Sequence, residues 1–432
     1  MKNKLIKEAK KRNIDIEIFE TRNKCTDINS LNDTIKLFQI SDVTRFKIKA
    51  IKEEKCIQII AESLKNTEEL LNSLESIFSI QDNKNKNTLC HGKFSKKEKK
   101  KNPVDFDEVK RDLKSLNELK KEYSCIKNIE GAYSYYENKS KITNNNCNMN
   151  EENYFNVYGS TITIEKDDVT RVLYLGYYTK DYDFQNFKNY LIKRLNDAVI
   201  KLDSKSVKTN KYKVLLTNNV VTNILATFAD SFQSKNIFLK ESVFTNQFNK
   251  QIFSDKISII EDSQNGINNK NFDSEGTIKK YQTIVKNGFF VKELNNLEYA
   301  NITKKEPTGN ADGVNNLFIE PGTTTYEEMI KKLNNGIIID EAYGFHAGVD
   351  KKTGVISVQA EGILVENGKL TKGLNMIILS TNIFEVFKNV CEVGNDLTKE
   401  YLSVTAPSLL LENITIAGNF VNDNTLTVYK IG

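Results

Sequence analysis

Residues 271–288 read NFDSEGTIKKYQTIVKNG, in which Asp273 and Glu275 crowd against a glycine just ahead of a hairpin pattern. Two carboxylates this close could serve general acid/base chemistry or hold a hard cation. A polar Asp-Ser-Glu-Gly turn ahead of a strand is also ordinary turn chemistry, and that is the commoner use of such a sequence. A second candidate group is His346 with Asp350, in YGFHAGVD. A lone histidine in a glycine-rich loop is more often hydrogen-bonded scaffold than a catalyst. The other of the 2 histidines, His91, is most of the chain away, which excludes a two-histidine helical metal motif. His91 beside Cys90 looks like a metal fragment, but structural zinc takes four ligands and no second Cys/His cluster supplies the rest.

The elements that must position these residues begin with a short Lys-rich helix. The segment Ile14 to Phe19 then alternates apolar and charged residues as a half-buried strand does. Phe46 to Ile51 and Cys56 to Ile60 keep the same period. Asn66 and Glu69 stand at capping-box spacing before a helix with Leu70, Leu71, Leu74, Ile77 and Phe78 on one face. These residues predict an α+β domain over 1–85. Clustered lysines and Pro103 predict a solvated basic linker over 86–104. A middle α+β domain over 105–205 follows, with strands around FNVYGSTITIE and RVLYLGYY and an Asn-rich loop at 144–153. Its closing helix repeats Phe184, Phe187, Leu191, Leu195, Ala198 and Leu202 as a core stripe.

From residue 206 to 432 the texture is β-rich and turn-dense, with most of the 20 glycines and three of the 4 prolines (Pro307, Pro321 and Pro407). IVKNGFFV and LVENGKL each set Asn-Gly between apolar runs, the strongest short hairpin signal. VDKKTGVISV predicts another hairpin, with Gly354 placed for a bulge. The expected fold is multi-domain α+β, with an α/β N-terminal part and a large antiparallel, barrel-like C-terminal sheet crossed by a helix over 218–233.

Composition excludes several function classes. Lys+Arg of 62 against Asp+Glu of 57 leaves +5 in a Lys- and Asn-rich chain, a balance that selects no partner. The lysine tract at 93–101 lacks interleaved aromatics, so nucleic-acid binding is not favoured. The 6 cysteines are scattered without CxxC spacing and no leader is evident, so reduced thiols in a cytoplasm are expected. No apolar run reaches the roughly 20 residues a membrane span needs.

Five segments in order resemble the TldD/PmbA family, also known as TldE or modulator of DNA gyrase proteins: ISIIEDSQNGINNKNFDSEGTIKKYQTIVKNGFF, TGNADGVNNLFIEPGTTTYEEMI, GVDKKTGVISVQAEGILVENGKL, VGNDL and PSLLLENITIAGN. The likeness covers about residues 255–420. For TldD-type chains it implies a zinc peptidase whose helix bears HExxxH, with a cysteine near the C-terminus completing the site. Here those helix positions fall on Ala226, Thr227, Phe228, Ala229, Asp230 and Ser231. The stretch between VGNDL and PSLLL holds no cysteine, and Cys391 lies on its other side. The chain thus resembles the PmbA/TldE type, with no cofactor of its own.

The resemblance implies a non-catalytic subunit that pairs with a TldD-type, zinc-bearing metallopeptidase in proteolysis or maturation of unfolded peptides, dimerising with itself when alone. Asp273, Glu275, His346 and Asp350 are the residues of this chain that could line a peptide channel. The alternatives are a stand-alone peptide-binding protein, a peptidase with a non-zinc site, and, last, nucleic-acid or gyrase-linked binding.

Overall fold

The computed structural model describes residues 1–81, 88–98, 103–167, 169–397 and 403–418. The N-terminal strands are β1 (Asp15–Leu31), β2 (Thr34–Lys52), β3 (Lys55–Ala61), β4 (Gly92–Lys97), β5 (Ile126–Thr143), β6 (Cys147–Lys166) and β7 (Val169–Thr179). They form one sheet in the order β3-β2-β1-β5-β6, with β4 and β7 following one another along the outer edge of β6. The segments 1–85 and 105–205 therefore share a sheet, joined where β1 runs antiparallel to β5 from Ile18↔Thr143 to Leu31↔Glu130.

All pairings in this sheet are antiparallel except β4–β6. Its helices lie on the sheet instead of alternating with parallel strands, which refines the expected α/β character of this half. Strands of up to 20 residues accumulate twist and curl the sheet into a half-barrel. Leu5 and Ala9 of the first helix and Leu71, Leu74 and Phe78 of the second pack on Ile16, Ile18 and Ile48. Farther along, Phe187, Leu191 and Leu195 of the helix Phe184–Ile200 cover Tyr158 and Tyr177.

The stretch expected as a linker holds β4, and part of it lies outside the described residues. An edge strand needs only one ladder, so lysines can stay solvated along it while the backbone pairs. Phe94 supplies the apolar anchor, its ring edge-on to Phe272 at 5.8 Å. The Asn-rich loop is likewise short, because β6 already begins at Cys147.

The C-terminal strands are β8 (Ser204–Lys205), β9 (Asn210–Leu216), β10 (Ile259–Glu261), β11 (Gln282–Lys286), β12 (Phe289–Phe290), β13 (Leu317–Ile319), β14 (Gly336–Tyr343), β15 (Val355–Glu366), β16 (Lys369–Asn382), β17 (Val390–Val393), β18 (Val404–Thr405) and β19 (Leu409–Gly418). Pairing runs β9-β14-β15-β16-β19 and returns to β9, which closes a five-stranded barrel with β8 and β17 as appendages. Within the ring only β9–β14 is parallel. A second sheet, β12-β11-β10-β13-β18, packs beside it. The helix Asn218–Phe228 buries Val220, Val221, Ile224, Leu225 and Phe228 in the core shared by the barrel and this sheet. It continues only as a 3-10 turn over Ala229–Phe232.

Asn287-Gly288 and Asn367-Gly368 turn the two expected hairpins, with φ of 46° and 81° and of 53° and 71°. A side chain at Gly362 would put its Cβ 1.9 Å from the Ile338 carbonyl oxygen, where β15 crosses β14 beside a bulge. Gly362→Ala should destabilise the chain by roughly 3 kcal/mol through forced strand separation, read as a lower urea midpoint.

Candidate functional site

The acidic turn lies where the second sheet meets the half-barrel. Asp273 is 1% exposed. Its Oδ1 accepts the N–H groups of Glu275 at 3.0 Å and Thr277 at 2.9 Å, and its Oδ2 accepts that of Ala311 at 3.0 Å. Glu275, also buried, accepts the Leu297 N–H at 2.8 Å, at the first turn of the helix Leu297–Thr303. Ser274 N–H donates to Asp312 at 2.7 Å. Burial pushes both the Asp273 and Glu275 carboxyls above the ordinary range, opposed by the N–H groups that face them.

The same turn docks on the N-terminal sheet. Lys47 of β2 donates to Ser274 Oγ at 3.2 Å, and Asn271 donates through its backbone and side chain to Glu151 of β6 at 2.8 and 2.9 Å. Gly276, at φ +80°, is packed so closely that an added Cβ would lie 2.3 Å from the Cys90 sulfur. The two carboxylates thus act here as acceptors that hold the turn, while Ser274, Asn271 and Gly276 dock it on the half-barrel.

Behind the turn is a polar network in which Glu261, fully buried, is the hub. It accepts from Asn310 Nδ2 at 2.7 and 2.9 Å, Asn315 N–H at 3.0 Å and Ser263 Oγ at 3.1 Å. Gln282 reaches the Thr308 carbonyl, and Thr308 exchanges hydrogen bonds with Asn295. Lys279 is 1% exposed, and burial lowers its pKa against the pull of Glu261 and Asp273. None of these residues was singled out from the sequence. The usable signal was an acid ending the apolar run ISIIE, which needs partners if buried.

A cleft of about 320 Å³ opens beside this network, between the end of the 218–228 helix and the 295–313 loops, with Asp230, Gln233, Asn236, Tyr299 and Asn310 on its walls. Asp230 is the one carboxylate in the helix window singled out for zinc. Ala226 presents a methyl, Thr227 Oγ1 donates to the Asn223 carbonyl at 2.7 Å, and Ser231 is buried. These donors do not fit a zinc ion, which requires imidazoles, thiolates or carboxylates on one centre. Among the described residues no group of three or more His, Cys, Asp or Glu is placed to hold a metal.

Nearby, the Ala406 N–H donates to Thr222 Oγ1 at 2.9 Å, while Ser408 both accepts from Asn218 N–H and donates to Asp396. The VGNDL and PSLLL segments thus clamp the helix start. Residues 398–402, part of the stretch expected to lack the family cysteine, lie outside the described residues. His346 is exposed on the short helix Phe345–Gly348. Asp350 accepts from the Lys352 N–H at 2.8 Å and the Thr353 hydroxyl at 2.8 Å, and these bonds, led by the hydroxyl, lower its pKa. Asp350 belongs to the hairpin turn before β15 and His346 to the short helix ahead of it, on different elements from the acidic turn.

Half-barrel, closed barrel and clamped helix together define a fold, and comparison shows what the chain is similar to. Residues 209–418 match the PmbA/TldA metallopeptidase C-terminal domain. The chain is similar to the Metalloprotease PmbA homolog of Buchnera aphidicola from Acyrthosiphon pisum, 26% identical over 335 residues covering 73% of this chain and 74% of that protein. Metalloprotease PmbA of Escherichia coli O157:H7 is 28% identical over 220 residues, covering 50% of this chain and 48% of its own length. The fold is shared with a putative modulator of DNA gyrase from Thermotoga maritima, TM-score 0.84 at 22% identity over 96% of this chain and 99% of that one. It is also shared with TldE from Thermococcus kodakarensis, TM-score 0.83 at 16% identity over 96% and 100%. Just under half of the chain, residues 209–418, thus matches the C-terminal domain of the TldD/PmbA family.

Asp273→Ala should cost about 2–4 kcal/mol by stranding buried N–H groups, measured by urea unfolding. Glu275→Gln keeps an acceptor for Leu297 but removes the buried charge. A carboxyl with a raised folded pKa contributes stability below its ordinary pKa that is lost as pH rises through the folded value. Stability of the natural chain should therefore fall relative to Glu275→Gln between acid and neutral pH, a difference that unfolding at a series of pH values will read.

Proposed function

We propose that this chain is a non-catalytic, PmbA/TldE-like subunit that pairs with a TldD-type zinc metallopeptidase in the proteolysis or maturation of unfolded peptides. The observation that carries this reading is the donor set on the family's helix. At Ala226, Thr227 and Ser231 this chain offers a methyl and two hydroxyls where a zinc peptidase needs two imidazoles and a carboxylate base. The helix is clamped at its start, and the turn that follows it opens at Asp230 onto a cleft. Zinc then belongs on the partner, and this chain contributes walls and docking surface. The acids named from the sequence support a catalytic role poorly, since Asp273, Glu275 and Asp350 are engaged in holding turns. The lysine tract is in part the solvated edge strand β4, which supports a nucleic-acid role no better. No described helix is long and apolar enough to cross a membrane.

Co-purification with the TldD-type protein of the same cell, followed by zinc analysis and cleavage of unfolded casein by each chain alone and by the pair, tests the proposal. The expected result is a stable pair, zinc on the partner and cleavage that needs both chains. Stoichiometric zinc and cleavage by this chain alone would overturn it.

A further inference from the structure

The half-barrel ends in a strand that, among the described residues, is paired along one side. Among the described strands β7 pairs only with β6. A cavity of about 400 Å³ lies against residues 169–174. Consecutive residues of both pleat faces, Arg171 and Leu173 as well as Val172 and Tyr174, line it. Successive side chains of a strand point to opposite faces, so a cavity touched by both sets opens onto the strand's edge. That edge offers N–H and C=O groups spaced for a further strand.

The facing wall is built from the barrel, at a bulge in β16. Ala360 pairs with Ile377 and Gly362 with Leu374, so Asn375 and Met376 together stand opposite Glu361. Met376 has φ +48° and is 70% exposed. A left-handed, β-bulged methionine that projects into solvent is a costly arrangement, and bulges of this kind re-aim side chains beside functional sites.

Two buried polar atoms on these walls have no hydrogen-bond partner among the described residues: Arg171 Nε, a donor, and Asn375 Oδ1, an acceptor. The guanidinium is already fixed, with Nη1 on Glu361 at 2.5 Å and Nη2 on Ser204 Oγ at 2.8 Å, which leaves Nε–H spare. The charges around the cavity are paired internally. Lys201 is held by Asp340 at 2.7 Å, and Glu341 by Arg194. A ligand that matches a spare donor, a spare acceptor, a free strand edge and no net charge is a peptide backbone.

We propose that the groove between β7 and the β16 bulge binds an extended, unfolded peptide segment as an added strand on β7. The segment runs to about six residues, the length of 169–174 at roughly 3.3 Å each. Tyr174, 74% exposed and on the cavity wall, grips its side chains. The choice of a peptide rests on the peptide-handling role proposed above, whereas the groove itself does not.

The test uses the full chain, without a partner, and an end-blocked, fluorescein-labelled hexapeptide of alternating Val and Thr. Fluorescence anisotropy should report binding, and amide hydrogen exchange at residues 169–174 should slow by about tenfold when the peptide is bound. The variant Tyr174→Ser changes one exposed side chain and should keep the fold, checked by circular dichroism, while weakening binding by about tenfold. Absence of binding, or binding with unchanged exchange at 169–174, would overturn the assignment. Slowed exchange there without peptide, growing with protein concentration, would also overturn it, by giving the edge to a second copy of the chain. Casein cleavage by the metallopeptidase pair is scored separately: if it survives while β7 is unprotected, the groove fails and the subunit role stands, and the converse pattern separates them the other way.

Discussion

The Asp273 carboxylate, buried with three backbone N–H groups aimed at it, is the constraint on which the rest of the arrangement depends. An acid in that environment is tolerated only when its solvation is replaced, and backbone dipoles replace it here. Because those dipoles come from residues 275, 277 and 311, the carboxylate ties the acidic turn to the TGNADG loop. Through Ser274, Asn271 and Gly276 the same turn meets Lys47, Glu151 and Cys90 of the half-barrel. A turn whose carboxylates could have served chemistry thus helps to set one half of the molecule against the other.

The helix Asn218–Phe228 shows the other side of this economy. Its apolar face is fixed by the core, and its start is held by Ser408 and the Ala406 N–H, so its exposed end is positioned whether or not it carries donors. A family that keeps such a frame can change the residues at the helix end without rebuilding the fold.

Features set by local stereochemistry were legible in the sequence. Asn287-Gly288 and Asn367-Gly368 announced their hairpins because a two-residue turn of this hand needs positive φ at both positions. The stripe from Phe184 to Ala198 announced its helix for an equally local reason, the 3.6-residue period. What could not be read depends on distant partners. Both β1 and β5 alternate apolar and polar residues, and nothing in either says that they pair with each other. The parallel contact of β9 with β14 and the strand pairing of the lysine-rich β4 escaped for the same reason. Of the candidate site, the acidic turn was visible as a turn, but the Glu261 network was not, since its members are spread from residue 261 to residue 315.

The closure of the barrel has a consequence for how the chain comes into being. β9 lies between β14 and β19, and Leu216 faces Leu409, so the ring cannot shut until the ribosome has made nearly 200 further residues. At roughly 5–20 residues per second that is a wait of about 10–40 s. Through that interval β9 and the apolar face of the 218–228 helix have no barrel to enter, while every strand of the half-barrel is already synthesised. The molecule is therefore one whose first half can take shape during translation, and whose second half stays open until its last strand is made.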